Sequence, residues 1–202
     1  MILSVIRHGS TAWNEQGRMQ GRRDEPLSAR GRAQVGAWRM PAELAGPARW
    51  YSSPLRRAVE TARLLSGREP QCESALIEMD WGEWEGFSLE ALRTRFNAEF
   101  TRNEVLGLDF QPPGGESPRD VLIRVQRWLA GISRGATPVV AVTHNGVLRA
   151  MLAAATGWDM TAKPPLKMHT SAVHRFSVND DGSLAVLECN VALGSSALIE
   201  AP

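Results

Sequence analysis

Ile2-Leu3-Ser4-Val5-Ile6-Arg7-His8-Gly9 and Pro138-Val139-Val140-Ala141-Val142-Thr143-His144-Asn145-Gly146 follow one plan: a short apolar run, a histidine, and a glycine close behind. Apolar runs of this length, without polar alternation, read as strands buried on both faces of a sheet. The glycine breaks each run at its carboxyl end. Elsewhere, short apolar segments alternate with helical periodicities, the rhythm of an α/β sheet built from crossover units. If the two runs are neighbours in one parallel sheet, Arg7, His8 and His144 emerge together at its carboxyl edge, where open α/β sheets gather their chemistry.

Working outward, Ser28 predicts a helix cap, with Ala33, Ala37, Met40 and Leu44 at helical spacing until Gly46 and Pro47 stop the helix. Arg49 to Ser52 predicts another strand. Ser53 as cap and Pro54 in the first turn open a helix whose apolar face carries Leu55, Ala58, Val59, Ala62 and Leu65, and Gly67 ends it. From Cys72 to Phe87 the pattern is that of a loop, dense in Glu78, Asp80, Trp81, Glu83, Trp84 and Glu85, and loops of this kind carry function. A helix is expected from about Ser88 to Phe100, then a lid-like Gly/Pro stretch from Gln111 to Gly115. The next helix starts at Ser117 or Pro118 and turns Val121, Val125, Trp128, Leu129 and Ile132 inward. A helix from Gly146 to Ala155, ended by Gly157, precedes two strands between Ala172 and Val191 joined at Asp180-Asp181-Gly182.

The 202 residues are 43% hydrophobic and 22% charged, which fits a single globular domain over 1–202 and excludes disorder, collagen and coiled coil. Lys+Arg 23 against Asp+Glu 22 gives +1, so the basic footprint of a nucleic-acid binder is absent and an anionic partner must be met locally. No run approaches the ~20 apolar residues of a membrane span. The start lacks a basic leader and long apolar run, so no membrane partner and a cytoplasmic location are expected. Cys72 and Cys189, far apart, are expected to be core thiols in a reducing compartment. A homodimer through an edge strand or exposed helix stays open.

Two imidazoles beside a guanidinium form a cluster that attracts an anion. Arg7, and Arg57 early in its helix, offer planar forks matched to phosphate oxygens, and the N–H groups at that helix start would add to the attraction. A histidine with one nitrogen fixed by a carbonyl and the other bare can act as nucleophile, and His8 is the candidate. Among Arg18, Gln20, Gly21, Arg22 and Arg23, Gln20 is favoured to reach a second part of a substrate, whereas Arg22 and Arg23 read as a solvated face. His169 and His174 have no ligand-like neighbours, and no clustered motif predicts a metal site.

Arg7-His8-Gly9 with Thr11 and Asn14, Ser53-Pro54-Leu55-Arg56-Arg57-Ala58 with Thr61-Ala62, Leu76-Ile77-Glu78 leading into Gly82-Glu83-Trp84-Glu85-Gly86, and Thr143-His144-Asn145-Gly146 together resemble the phosphoglycerate-mutase-like branch of the histidine phosphatase superfamily. The resemblance spans almost the whole chain. It implies a three-layer α/β/α fold with a mixed, mostly parallel sheet, and a phosphohistidine intermediate on His8. It further implies that Arg7, Arg57 and His144 bind the transferring group with Asn14 assisting, that Glu78 is the general acid, and that Gln20, Gly21 and Asn145 face the substrate. The family motif, rather than spacing, selects Glu78 over Asp80 and Glu83. Pro54 departs from the pattern, since many members carry an acidic residue there. No metal or other cofactor is expected, because phosphoryl transfer needs positioning and charge stabilisation above all.

The expected ligand is a small phosphorylated metabolite, and the expected reaction is hydrolysis of its monoester. Mutases of this branch carry extra basic sequence between the acid loop and the second histidine, whereas Glu99 to Glu116 is compact and not notably basic. A cofactor-dependent phosphoglycerate mutase and a phosphoester-binding protein with little turnover are the alternatives. The run from Glu78 to Glu85 is similar to α-ribazole phosphatases, although related broad-specificity enzymes share much of it.

Overall fold

A computed structural model describes residues 1–44, 46–135 and 137–195. Among the described residues the strands are β1 (Ile2–Arg7), β2 (Trp38–Arg39), β3 (Arg49–Ser52), β4 (Gln71–Cys72), β5 (Val139–Thr143), β6 (Ala172–Val178), β7 (Leu184–Ala192) and β8 (Gly194–Ser195). A six-stranded sheet runs in the order β4-β3-β5-β1-β6-β7, while β2 and β8 form a separate ladder. β4, β3, β5 and β1 pair in parallel, and β6 runs antiparallel to both β1 and β7, so the sheet is mixed.

The continuous apolar character of β1 and β5 is explained by cover on both faces. Leu3, Val5, Val139 and Ala141 face one core, shared with α6 (Pro118–Ile132) and α7 (Asn145–Thr156) through Val121, Val125, Leu148 and Met151. Ile6, Val140 and Val142 face the other, shared with α2 (Ala29–Ala37) and α3 (Arg56–Ser66) through Val35, Ala58 and Ala62. Helices on both faces of the sheet make the expected three layers. A small aromatic core of Trp84, Leu92 and Phe100 stands beside the sheet, built from the acid loop, α4 (Leu89–Arg95) and α5 (Asn97–Glu104). The short α1 (Ala12–Glu15) follows the first histidine.

Several boundaries differ from the sequence reading. α2 stops at Ala37, because Pro41 disfavours helical backbone just before it and Trp38 instead pairs with Ser195. α3 begins at Arg56 after Leu55, so neither Ser53 nor Pro54 holds its expected capping place. The helix expected from Ser88 breaks at Phe96, whose ring packs against Trp84 and Phe87. The Gly/Pro stretch is fastened to the acid loop, with Glu83 N–H donating to Pro113 O and Glu116 N–H to Asp80 O. It supplies none of the wall of the cleft described below, where α5 stands instead. Cys72 is exposed on β4 and Cys189 half-buried on β7, so neither is a core thiol.

α2 presses on the loop that follows the first histidine. Its cap Ser28 accepts from Gly31 N–H at 2.9 Å, and Ser28 N–H donates to Ser10 O at 3.0 Å. A Cβ on Gly31 would lie 2.0 Å from Ser10 O, whereas one on Gly36 in the same helix meets nothing within 4 Å. Gly31→Ala should therefore lower stability by about 1–3 kcal/mol. Gly36→Ala should leave it unchanged or raise it by up to about 1 kcal/mol. Urea midpoints of the two variants check this, and equal midpoints would show that α2 does not bear on the loop.

Candidate active site

The parallel register sets Arg7 opposite Thr143, so the residue leaving each strand is a histidine. His8 N–H donates to Thr143 O at 3.0 Å, and the rings of His8 and His144 stand 4.9 Å apart. His8 Nδ1 lies 2.7 Å from Gly9 O. A carbonyl only accepts, so Nδ1 carries the proton and Nε2 keeps its lone pair. Arg57 Nε–H points to that lone pair at 3.3 Å. Burial, and then the charges of Arg7 and Arg57, hold His8 well below its ordinary 6.5, despite the bond to Gly9.

Arg57 is fully buried. Its Nη1 donates to Arg23 O at 2.6 Å and its Nη2 to Gly21 O at 2.8 Å, so main-chain carbonyls anchor the guanidinium without cancelling its charge. Gly21 has φ +53, and a Cβ there would come 2.0 Å from Glu85 Oε1. Its main contribution is thus a carbonyl for Arg57. Glu85 in turn accepts from Arg22 N–H at 2.6 Å and holds the loop. The start of α3 does not offer its first N–H to an anion, because Arg56 N–H donates to Asp24 Oδ1 at 2.7 Å.

His144 is also fully buried, with Nε2 2.7 Å from Ser53 Oγ. Ser53, expected as a cap, is instead the partner of the second histidine. Burial, followed by His8, Arg57 and Arg7, holds His144 well below 6.5. It therefore brings hydrogen bonding to the site rather than positive charge.

Of the three rival carboxylates, Glu78 alone lines the cleft beside the histidines. Its Oε1 accepts from Met79 N–H at 2.9 Å and Gly146 N–H at 3.1 Å, the latter in the first turn of α7. A Cβ on residue 146 would lie 2.4 Å from that oxygen, which is why a glycine stands there. Burial pushes the Glu78 carboxyl up, against the opposing pull of these N–H groups and of Arg57 and Arg7. Asp80 instead pairs with Arg22 at 3.3 Å, and Arg22 reaches Glu116 at 2.8 Å in a surface network.

The cleft has a volume of about 1320 Å³, with Arg7, His8, Arg57 and Glu78 among its lining and Trp81, Phe100 and Phe110 forming part of its apolar wall. Asn14, Gln20, Gly21 and Asn145 line it too, whereas fully buried His144 is not part of the lining and stands with its ring 4.9 Å from that of His8. Asn14 Oδ1 accepts from Thr11 N–H at 3.2 Å, and Gln20 Nε2 donates to Thr11 Oγ1 at 2.5 Å. Arg7 Nε, Gln20 Oε1 and His144 Nδ1 are buried without a protein partner. Trp84 does not line the cleft but fills the satellite core. His174 Nε2 lies 3.0 Å from His169 O, and neither histidine lines the cleft. Among the described residues, no group of three or more His, Cys, Asp or Glu is placed to hold a metal ion. None of the described helices is long and apolar enough to cross a membrane. The sequence reading missed Ser53 as a site residue, and Arg149, which lines the cleft four positions after Asn145, a helical spacing visible in the sequence.

The model of the histidine phosphatase superfamily, branch 1, matches residues 3–191. The chain belongs to that family. Its relatives include phosphoserine phosphatase 1 of Hydrogenobacter thermophilus, 33% identical over 166 residues, covering 79% of this chain and 78% of the relative. Another is a probable phosphoglycerate mutase of Salmonella paratyphi C, 30% identical over 188 residues, covering 90% and 86%. Among solved structures, a putative α-ribazole-5′-P phosphatase from Escherichia coli superposes with a TM-score of 0.78 at 26% identity, covering 96% of this chain and 98% of that one.

The two depressed imidazoles tie the stability of this histidine phosphatase to pH. Below about pH 6.5 an unfolded chain takes up protons that folded His8 and His144 refuse, so their contribution is lost as pH falls. Glu78 acts in the opposite sense, since its raised pKa lets the fold hold a proton just above 4.5 that the unfolded chain releases. His174, also depressed by burial, adds to the two histidines, and Glu85, also raised by burial, adds to Glu78. With three imidazoles against two carboxyls, the urea midpoint should fall steadily from about pH 7.5 to about pH 5. Nitrogen-15 NMR over the same range should show His8 neutral and protonated on Nδ1. A flat midpoint with ordinary imidazole titration would show that the pair is solvated.

Proposed function

We propose that this histidine phosphatase is a metal-independent phosphomonoester hydrolase acting on a small phosphorylated metabolite. The observation that carries the reading is the poise of His8: neutral, its proton committed to Gly9 O, its Nε2 lone pair met by nothing stronger than a long 3.3 Å contact from Arg57 Nε–H, with Arg7 lining the same cleft. That is the state in-line attack on phosphorus requires. Nε2 forms the N–P bond while the bond from phosphorus to the ester oxygen breaks. Arg7 and Arg57 offset the charge of the non-bridging oxygens, and His144 and Asn14 add hydrogen bonds.

The departing oxygen needs a proton, and Glu78 supplies it. Its Oε1 already carries two N–H donors, so Oε2, with one longer contact of 3.3 Å to Gly146 N, is the oxygen placed to hold the proton. In the second half, water attacks phosphorus and gives its proton to the Glu78 carboxylate. The N–P bond breaks, its electron pair returns to Nε2, and inorganic phosphate leaves, restoring neutral His8 and protonated Glu78. Gln20 and Asn145 contact the remainder of the substrate, while Gly21 acts through Arg57.

Hydrolase is favoured over mutase because the part of the cleft supplied by residues 99–116 carries Phe100, Glu104, Val105, Gly107 and Phe110 but no cation. The names borne by the similar proteins put phosphoserine, phosphoglycerate and α-ribazole phosphate first among substrates to test.

Phosphate release should be abolished in His8→Ala, together with the alkali-stable, acid-labile label left on the wild-type chain by a radioactive phosphodonor. Retained label or turnover in that variant would remove His8 as nucleophile. Tight binding without label in the wild type would favour a binding protein. Glu78→Gln should slow hydrolysis of alkyl phosphates by about 10²–10⁴. It should slow p-nitrophenyl phosphate far less, because that leaving group departs without a proton. The alkaline fall of the alkyl phosphate pH profile should vanish in the same variant, and equal losses for both substrates would assign the proton to another group.

A further inference from the structure

Arg149 lies on α7 four residues beyond Asn145, hence on the same helix face, and both line the cleft. The step along the axis is roughly 6 Å. Arg149 is half-buried and stacks on Trp158, with the guanidinium carbon 4.8 Å from the ring centroid. Trp158 is itself fixed, donating from Nε1 to Ala162 O at 3.0 Å. Among the described residues the Arg149 guanidinium makes no hydrogen bond or ion pair. Exposed Arg63, Arg93 and Arg119, by contrast, each pair with a carboxylate.

A guanidinium presents five N–H donors, and burying part of it without acceptors is unfavourable. Burial alone pulls its pKa down, whereas Arg7 and Arg57 have Glu78 to oppose that fall. The neighbouring charges do not cancel it. Arg18 and Arg30 also line the cleft without a carboxylate partner, Glu104 there is paired with Arg93 at 2.6 Å, and the one outer carboxylate that keeps its charge, Glu15, accepts from Ser28 Oγ at 2.6 Å. The cleft therefore holds cationic donors beyond those needed for one phosphoryl group.

We propose that Arg149 is a specificity-determining residue that holds a second anionic group, a carboxylate or a second phosphate, of the substrate whose phosphoryl group faces His8. This rests on the phosphomonoesterase reading above. Stacking on Trp158 pre-orients the planar fork, so little freedom is lost when it closes on an anion. Asn145, which contacts the remainder of the substrate, stands about one helical turn before Arg149 on the same face, so the second anion lies next to that remainder in a small bis-anionic metabolite.

The test compares wild type, Arg149→Gln and Arg149→Lys on matched pairs: 3-phosphoglycerate with glycerol 3-phosphate, and fructose 1,6-bisphosphate with fructose 6-phosphate. For at least one charged member, KM should rise about tenfold or more in Arg149→Gln with kcat little changed. Glycerol 3-phosphate, fructose 6-phosphate and p-nitrophenyl phosphate should move by less than about twofold, and Arg149→Lys should recover part of the loss. The pair that responds tells carboxylate from phosphate. Equal losses for charged and uncharged members, or no change in either, would overturn the proposal. Calorimetric binding of the same pairs to His8→Ala, with and without Arg149→Gln, separates it from the hydrolase reading. Arg149-dependent preference for the charged member without wild-type turnover would sink only the hydrolase, whereas turnover of p-nitrophenyl phosphate without that preference would sink only the subsite.

Discussion

The parallel ladder between β1 and β5 fixes where the two histidines stand. Its outermost rung is the bond from His8 N–H to Thr143 O, and the register behind it is held by packing. Leu3 and Val5 share one core with Val139 and Ala141, while Ile6 shares the other with Val140 and Val142. Side chains alternate across a sheet with a period of two, so a slip by one residue would exchange the two sets and send one histidine to the opposite face. The requirement to bury aliphatic side chains on both faces therefore also sets the 4.9 Å spacing of two imidazoles.

Around that pair, charge is arranged by the choice of partners. Arg57 is tied down by carbonyls, so it remains a net cation in a place screened from water. Its charge and that of Arg7 depress His8 and His144 while partly restraining the rise of Glu78. A carboxylate partner for Arg57 would have secured the side chain equally well but weakened its effect on all three groups. The one carboxylate admitted to the centre meets main-chain N–H groups at the start of α7, and Gly146 leaves room for it.

Much of this was legible in the sequence because it depends on neighbours in the chain. The strand end at Thr143, the cap at Ser28, the helix start at Ser117 or Pro118 and the stops at Gly67 and Gly157 are local signals, and each stands where expected. The misses are tertiary. Trp38 leaves its helix to meet a strand far along the chain, and Ser53 meets His144 across 91 positions. Gly21 read as a substrate contact, yet what it offers Arg57 is a carbonyl, and no side-chain pattern records a carbonyl's direction. Pro41 was a local signal, and it outweighed the spacing of Met40 and Leu44.

The small aromatic core of Trp84, Leu92 and Phe100 gives the outer wall of the cleft a packing unit of its own, joined to the core of the sheet through Trp81 and Phe110, which pack against both. The division separates two kinds of change, because exchanging the ring of Phe100 or Phe110, both of which line the cleft, reshapes what it accepts without touching the residues of the ladder that sets the two histidines.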